Sequence, residues 1–238
     1  MSDQQSQGGF QKALQHLTDE ILAGRVEPGS RLPSERELAE EIGVGRGAVR
    51  EAIKVLQAQG LVTSQVGPTG GTRIASSQGS SFGRMLQLHL ALQQISHDEL
   101  TETRVLLERA ATEAAATTAG DDVLADLDRA CDAMEDATSP EEFNDLDTAF
   151  HVDIAQAARN RLVRDLTIAL RHAVAGHILR AERDLTDWDA LRQRLVTEHR
   201  AILAALADRN GPRAAELAEQ HVRGAHSVLL PRDQTPLP

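Results

Sequence analysis

Asp147 and His151 stand four residues apart in a segment whose large apolar residues, Phe143, Phe150 and Ile154, recur at helical spacing. Side chains at i and i+4 leave a helix on the same face, so this carboxylate and this imidazole can reach one metal ion. Two more histidines interrupt apolar stripes further on. His199 stands among Leu195, Ile202, Leu203 and Leu206, and His221 among Leu217, Ala218, Ala225 and Val228. Burying each without a partner would cost a few kcal/mol. Brought together, Asp147, His151, His199 and His221 would form a one-carboxylate, three-imidazole set suited to Zn, Mn, Fe or Ni. Read from these residues alone, histidines that serve as hydrogen-bonded core fillers fit the pattern as well. His172 and His177 are possible substitutes, more simply read as ordinary helix residues.

Arg104 is a further inward polar group, on the face of Leu100, Leu107 and Ala111. A buried guanidinium needs a counter-ion. Glu108, one turn on, supplies a structural one; the carboxylate of a bound small molecule is the functional alternative. A third cluster lies near the front of the chain. Arg46 and Arg50 are spaced i, i+4 with Lys54 a turn later, and between Ile42 and Val62 the only other charge is Glu51, a local net of +2. Such a row can enter a major groove, where arginine grips guanine with two bonds or clamps a phosphate. A solvated helix face is the plain alternative for so short a run.

The elements that must position these groups fall into two regions. Residues 10–75 hold several short elements. Leu14, Leu17 and Ile21 mark a first helix; Ser34 with Glu37 forms a capping box that starts a second. Gly43-Val44-Gly45 makes a turn, and a third helix runs from Arg46 to about Gln59 with Val49, Ala52, Ile53 and Leu56 inward. Strands at 61–66 and 72–75 flank Gly67-Pro68-Thr69-Gly70-Gly71, whose glycines let a wing tip approach another backbone closely. This order predicts a winged helix-turn-helix with a small β-hairpin wing. A Ser/Gly-rich hinge follows at 76–83. Residues 84–228 read as an all-α antiparallel bundle of six or seven helices, at 80–94, 97–119, 121–137, 140–158, 161–184, 187–209 and 212–228, with capping boxes at Ser96/Glu99 and Ser139/Glu142. The tail, 229–238, reads as disordered.

Composition narrows the function classes. The net charge of −11 argues against a wholly basic nucleic-acid binder, but it is uneven: residues 1–78 carry eight Lys/Arg and nine Asp/Glu, and the remainder 17 and 27. A DNA contact needs only a local positive face. Aromatics are 2% of the chain, so its cores rest on Leu, Ile, Val and Ala. Cys131 is the sole cysteine, which excludes an intramolecular disulfide and fits a reducing compartment. The start, MSDQQSQGGF, lacks the pattern of a signal peptide, and no apolar run is long enough to span a bilayer. The expected location is the cytoplasm, with no membrane partner.

Residues 28–62, PGSRLPSERELAEEIGVGRGAVREAIKVLQAQGLV, resemble the DNA-binding signature of the GntR family of regulators, and the wing segment GPTGGTRIA is similar too. The resemblance implies contacts to double-stranded operator DNA from Arg36, Arg46, Arg50, Gly67 and Gly70. The family often has Ser or Thr beside Arg46; here Gly45 and Gly47 stand there. That removes hydroxyls that could bond phosphate, and lowers helix propensity at Gly47 by about 1 kcal/mol relative to Ala. The segments TETRVLLERAATEAAA, DLDTAFHVDIAQAARN and TEHRAILAALADRNGPRAAELAEQHV resemble the ligand-binding domain of the FadR-type branch, known as FCD. This resemblance implies a divalent metal held by Asp147, His151, His199 and His221, a small carboxylate effector bound by Arg104, and a homodimer. The expected function is a ligand-responsive transcriptional regulator, a repressor rather than an enzyme. The rival is a metal-dependent helical-bundle enzyme acting on a small organic acid.

Overall fold

The computed structural model describes residues 2–65, 70–76, 83–86, 88–89 and 95–229. Gly67, most of the expected hinge, most of the expected 80–94 helix and the tail from 230 lie outside the described residues. The chain divides into two compact units, Met1–Phe82 and Gly83–Pro238.

The first unit contains α1 (Ser2–Leu22), α2 (Glu35–Ile42), α3 (Arg46–Ala58), β1 (Val62–Gln65) and β2 (Gly71–Ile74). Ser34 accepts from the Glu37 amide while the Glu37 carboxylate accepts from the Ser34 amide, so both halves of the expected box form. Gly43 ends α2 in the left-handed conformation at φ 70°, which makes the tight turn into α3 possible. Leu17, Leu38, Ile42, Val49, Ile53 and Leu56 close the core, with Leu14 and Ile21 packed at its edge. The strands pair antiparallel with Val62 opposite Ile74 and Gln65 opposite Gly71. Gly71 has φ 135°, a backbone conformation that favours glycine at that strand end. Ser34→Ala should destabilise this unit by about 1 kcal/mol. Chemical denaturation of the full chain followed by circular dichroism checks it; an unshifted midpoint would show that the cap contributes nothing.

The second unit is an antiparallel bundle of α4 (His97–Thr118), α5 (Asp121–Asp136), α6 (Pro140–Ala157), α7 (Arg161–Arg183), α8 (Trp188–Ala207) and α9 (Gly211–Leu229). Ser96 and Glu99 form the expected capping box. At α6 the expectation needs correction. Ser139 caps the Glu142 amide, and Pro140 opens the helix. The Glu142 carboxylate, however, bonds the Thr138 amide at 3.0 Å, one residue earlier than a capping box requires. Asn160 caps α7 through the amides of Leu162 and Val163. Helix α4 is central, packed against α6, α7, α8 and α9. Phe143, Phe150, Leu127, Met134, Ile202 and Leu206 fill the core. Cys131 is buried among them, where burial pushes its thiol up to about 11 and leaves it unreactive. Among the described residues, no helix is long and apolar enough to cross a membrane.

Candidate DNA-binding surface and metal centre

Helix α3 buries Val49, Ala52, Ile53 and Leu56, which leaves Arg46, Arg50 and Lys54 on its exposed side. The three cations foreseen as a row therefore share the solvent face. Arg36 is exposed on α2 and pairs with Glu40 at 3.1 Å. Gly70 directly precedes β2. One contact was not foreseen. Glu35, at the start of α2, holds the Arg50 guanidinium through both carboxylate oxygens, with Nη2 to Oε2 at 2.7 Å and Nε to Oε1 at 3.0 Å. This fork-on-fork pair depresses the Glu35 carboxyl. Arg50 stays 52% exposed, and a surface pair of this kind is worth about 0–1 kcal/mol. The pair orients the guanidinium without removing it from solvent.

In the second unit, Asp147 and His151 from α6, His199 from α8 and His221 from α9 converge, all buried. One donor atom from each lies within 4.8 Å of the others. His151 Nε2 stands 3.2 Å from His221 Nε2 and 3.3 Å from His199 Nε2. Asp147 Oδ1 stands 3.2 Å from His199 Nε2, 3.7 Å from His151 Nε2 and 4.0 Å from His221 Nε2. A cation with bonds of about 2.0–2.2 Å would space four ligands by roughly 3–3.5 Å. The neighbours assign the tautomers. His221 Nδ1 is 2.9 Å from Glu198 Oε2, and His151 Nδ1 is 2.9 Å from Glu108 Oε2. A proton on each Nδ1 makes both contacts attractive, so both Nε2 lone pairs face inward. Burial and the nearby His221 push His199 down to about 3, which holds it neutral, the form that ligates a metal. Electron-rich atoms this close repel one another unless a cation lies between them. The donor set therefore fits a divalent metal.

Around this centre lie charged groups that the sequence reading passed over. Arg171, on α7, is buried and pairs with Asp147 Oδ2, leaving Oδ1 to face the histidines. Its Nη1 is 3.7 Å from Glu108 Oε1. Arg104 meets the same Glu108 oxygen, Nε and Nη2 both at 3.1 Å. The structural ion pair weighed for Arg104 is thus present. Burial would raise the carboxyls of Glu108 and Asp147, but it is outweighed by His151, Arg104 and Arg171 at Glu108, and by Arg171 and the histidines at Asp147. Both are held well below the usual range. Glu182 is the opposite case: burial first, then Asp147, pushes it up to about 8, against the pull of Arg171. Arg104, Asp147, Arg171, Glu182 and His221 line one pocket, walled by apolar residues such as Ile178 and Leu195. His172 is exposed, and His177 is half-buried against Arg180 at 2.7 Å; neither belongs to the cluster.

The signal for Arg171 and Glu182 was the one used for Arg104, a charged residue on an apolar stripe: Thr167, Arg171, Val174, Ile178 and Glu182 are all buried on α7. Five arginines on that helix hid it, because residue type alone does not say which of them points inward.

Comparison with known proteins agrees with both units. The FCD domain model matches residues 99–224. The model for bacterial regulatory proteins of the gntR family matches residues 10–74. The HTH-type transcriptional regulator LutR of Bacillus subtilis (strain 168) is 33% identical over 218 residues, covering 88% of this chain and 95% of that protein. The galactonate operon transcriptional repressor of Escherichia coli (strain K12) is 28% identical over 210 residues, 85% of this chain and 88% of that one. The solved structure of Streptococcus agalactiae GntR matches with a TM-score of 0.60 at 25% identity, over 90% of this chain and 98% of its own. With a capped helix-turn-helix, a hairpin and a helical domain that each match, the chain belongs to the GntR family and is a transcriptional regulator carrying an FCD domain.

Proposed function

We propose that this regulator is a cytoplasmic homodimer that represses from a two-fold operator and releases it when a small carboxylate binds at a metal centre in its FCD domain. The observation that carries this reading is the charge balance of the buried cluster. Asp147 and Glu108 are matched by Arg171 and Arg104, so a divalent cation among Asp147, His151, His199 and His221 would leave the pocket in need of an anion. The metal would supply a fixed positive point for a carboxylate oxygen. Arg104, which lines the same pocket, would take the other oxygen.

Glu108 links the two halves of the site, touching Arg104 and the ring of His151. An anion that draws on Arg104 leaves Glu108 a stronger partner for His151, so carboxylate and metal each favour the other. For DNA, Arg36, Arg46, Arg50, Gly67 and Gly70 are the proposed contacts. Arg50 arrives oriented by Glu35, and two copies present two α3 helices to successive half-sites.

The test is operator binding by the full-length protein, loaded with metal, at stated salt, with and without a panel of carboxylic acids. At least one acid should weaken binding about 5- to 150-fold. That response should vanish on chelation and in Arg104→Ala, while operator affinity without acid stays near wild type. No response to any acid, or turnover of an acid by the loaded protein, would overturn the reading.

A further inference from the structure

Two arginines face each other across the sheet of the first unit. The segment before α2 runs antiparallel to β2, on the side away from β1: the Leu32 amide donates to the Thr72 carbonyl and the Ile74 amide to the Ser30 carbonyl, both at 2.9 Å. This sets Arg31 directly opposite Arg73. Neighbours along a strand alternate between faces, so with Leu32 and Ile74 in the core both arginines lie on the outer face. Like charges placed directly opposite destabilise a sheet, and nothing nearby in the chain offsets this pair. Residues 28–34 and 60–76 contain no Asp or Glu, and neither guanidinium has an ion-pair partner among the described residues. Arg73 turns its Nη1 to the Gly29 carbonyl at 3.1 Å. Arg31 is exposed, and its guanidinium lies against Gly71, where a Cβ would stand 2.8 Å from Nε and 3.0 Å from Nη2. Gly71 follows Gly70, one of the proposed DNA contacts. Arg31 is also close enough to the start of α2 to act on Glu37, whose carboxyl is lowered first by its hydrogen bonds from Ser34 and then by Arg36 and Arg31. It thus neighbours both the wing and the end of α2 that carries Arg36.

We propose that Arg31 and Arg73 form a phosphate clamp at the base of the wing, gripping the sugar–phosphate backbone of duplex DNA without reading its sequence. This rests on the winged helix-turn-helix as the DNA-contacting unit and adds two residues to its binding face. A phosphate between the two guanidinium groups turns their repulsion into attraction, and accepts the donors that Arg31 gives to no protein group among the described residues. A base edge fits less well. Arg73 commits part of its fork to Gly29, which leaves it charge rather than the two free parallel donors that a guanine edge needs. Duplex DNA brings its phosphates already fixed along the protein surface, whereas a free phosphate ion would be held by two side chains alone.

The experiment is fluorescence anisotropy with the full-length protein over a range of salt concentrations. The probes are a duplex selected from a random pool by wild type and a scrambled duplex of the same composition. Each phosphate contact adds about −0.9 to the slope of log K against log salt, roughly fivefold in Kd at about 0.15 M relative to 1 M. Arg31→Gln, losing one such contact in all or one at each half-site, should weaken binding to both duplexes alike by about 5- to 30-fold and flatten the slope by about one to two. Its Tm should not fall, because Arg31 is exposed and its loss relieves the like-charge pair. Arg31→Met gives a second neutral variant, and Arg31→Lys, which keeps the charge, should restore most of the slope. Unchanged affinity and slope in both neutral variants, a Tm lowered in both, or a loss confined to the selected duplex would each overturn the clamp while leaving DNA binding by the winged helix intact. So would saturable competition by inorganic phosphate at constant ionic strength that disappears in Arg31→Gln, since a free ion would then be the occupant. Failure of wild type to bind either duplex would instead bring down the DNA-contacting reading, and this inference with it.

Discussion

His151→Ala and His199→Ala should each leave the purified protein without the one divalent ion per chain that wild type retains. Asp147 Oδ1 and His151 Nε2 stand 3.2–4.0 Å from each other and from the Nε2 atoms of His199 and His221, and removing one donor opens the set. The effect extends to stability. A ligand that binds only the folded state, at 100 to 1,000 times its Kd, stabilises by about 2.7–4.1 kcal/mol. In a chain of this length that raises Tm by roughly 5–15 °C. Wild type should therefore lose that margin on chelation and regain it when Zn or Mn is restored, while the two variants should melt at the same temperature with metal or chelator. Glu108→Gln is the milder companion. It keeps the shape but weakens the carboxylate contact to His151, and such outer partners are typically worth 10- to 100-fold in metal affinity. Elemental analysis together with thermal unfolding decides the matter. Full metal content in either histidine variant, or a wild-type Tm indifferent to chelation, would return the histidines to the role of core fillers.

What could be read from the sequence divides by range. Local devices were legible: Ser34 and Ser96 as helix starts, Pro140 as a first helical residue, and Asp147 with His151 on one face. Each depends on residues within four positions of one another. Periodicity marked His199 and His221 as inward polar groups, but only resemblance to a family joined them to α6, because spacing along a helix says nothing about which helices become neighbours. The same limit explains Arg50. Its outward placement follows from the apolar face of α3, whereas its pair with Glu35 crosses from one helix to another, 15 residues away. Arg104 was seen as needing a counter-ion, and Glu108 was identified; that Glu108 also serves His151 and approaches Arg171 became visible only when α4, α6 and α7 were packed together. Asp147, His151, His199, His221 and Arg104 were readable as inward polar residues, whereas Arg171 and Glu182 were not. Nor was their mutual connection, which is what makes them a site.

Arg46→Ala and Arg50→Ala should cost the most at the operator. A bidentate arginine–guanine contact is worth about 1–3 kcal/mol. A two-fold complex loses it at both half-sites, roughly 2–6 kcal/mol in all, or about thirtyfold to more than 10⁴-fold in Kd. The fold should not suffer. Both side chains are exposed, and the Arg50–Glu35 pair lies at the surface, where its loss costs at most about 1 kcal/mol. Salt dependence separates the roles. If an arginine grips a base edge, its loss erases the preference for operator over unrelated DNA. If it clamps a phosphate, binding to all sequences weakens alike and the salt slope falls by about one per contact. Arg50→Lys should recover little in the first case and much of the affinity in the second, because lysine keeps the charge without the fork. Glu35→Gln tests the orienting role, since it frees Arg50 without deleting it. Its expected signature is a loss of selectivity with little change in non-specific affinity. Fluorescence anisotropy titrations at several salt concentrations measure all four variants. Wild-type affinity and selectivity in both alanine variants would show that α3 is not the recognition helix, whatever its place in the fold.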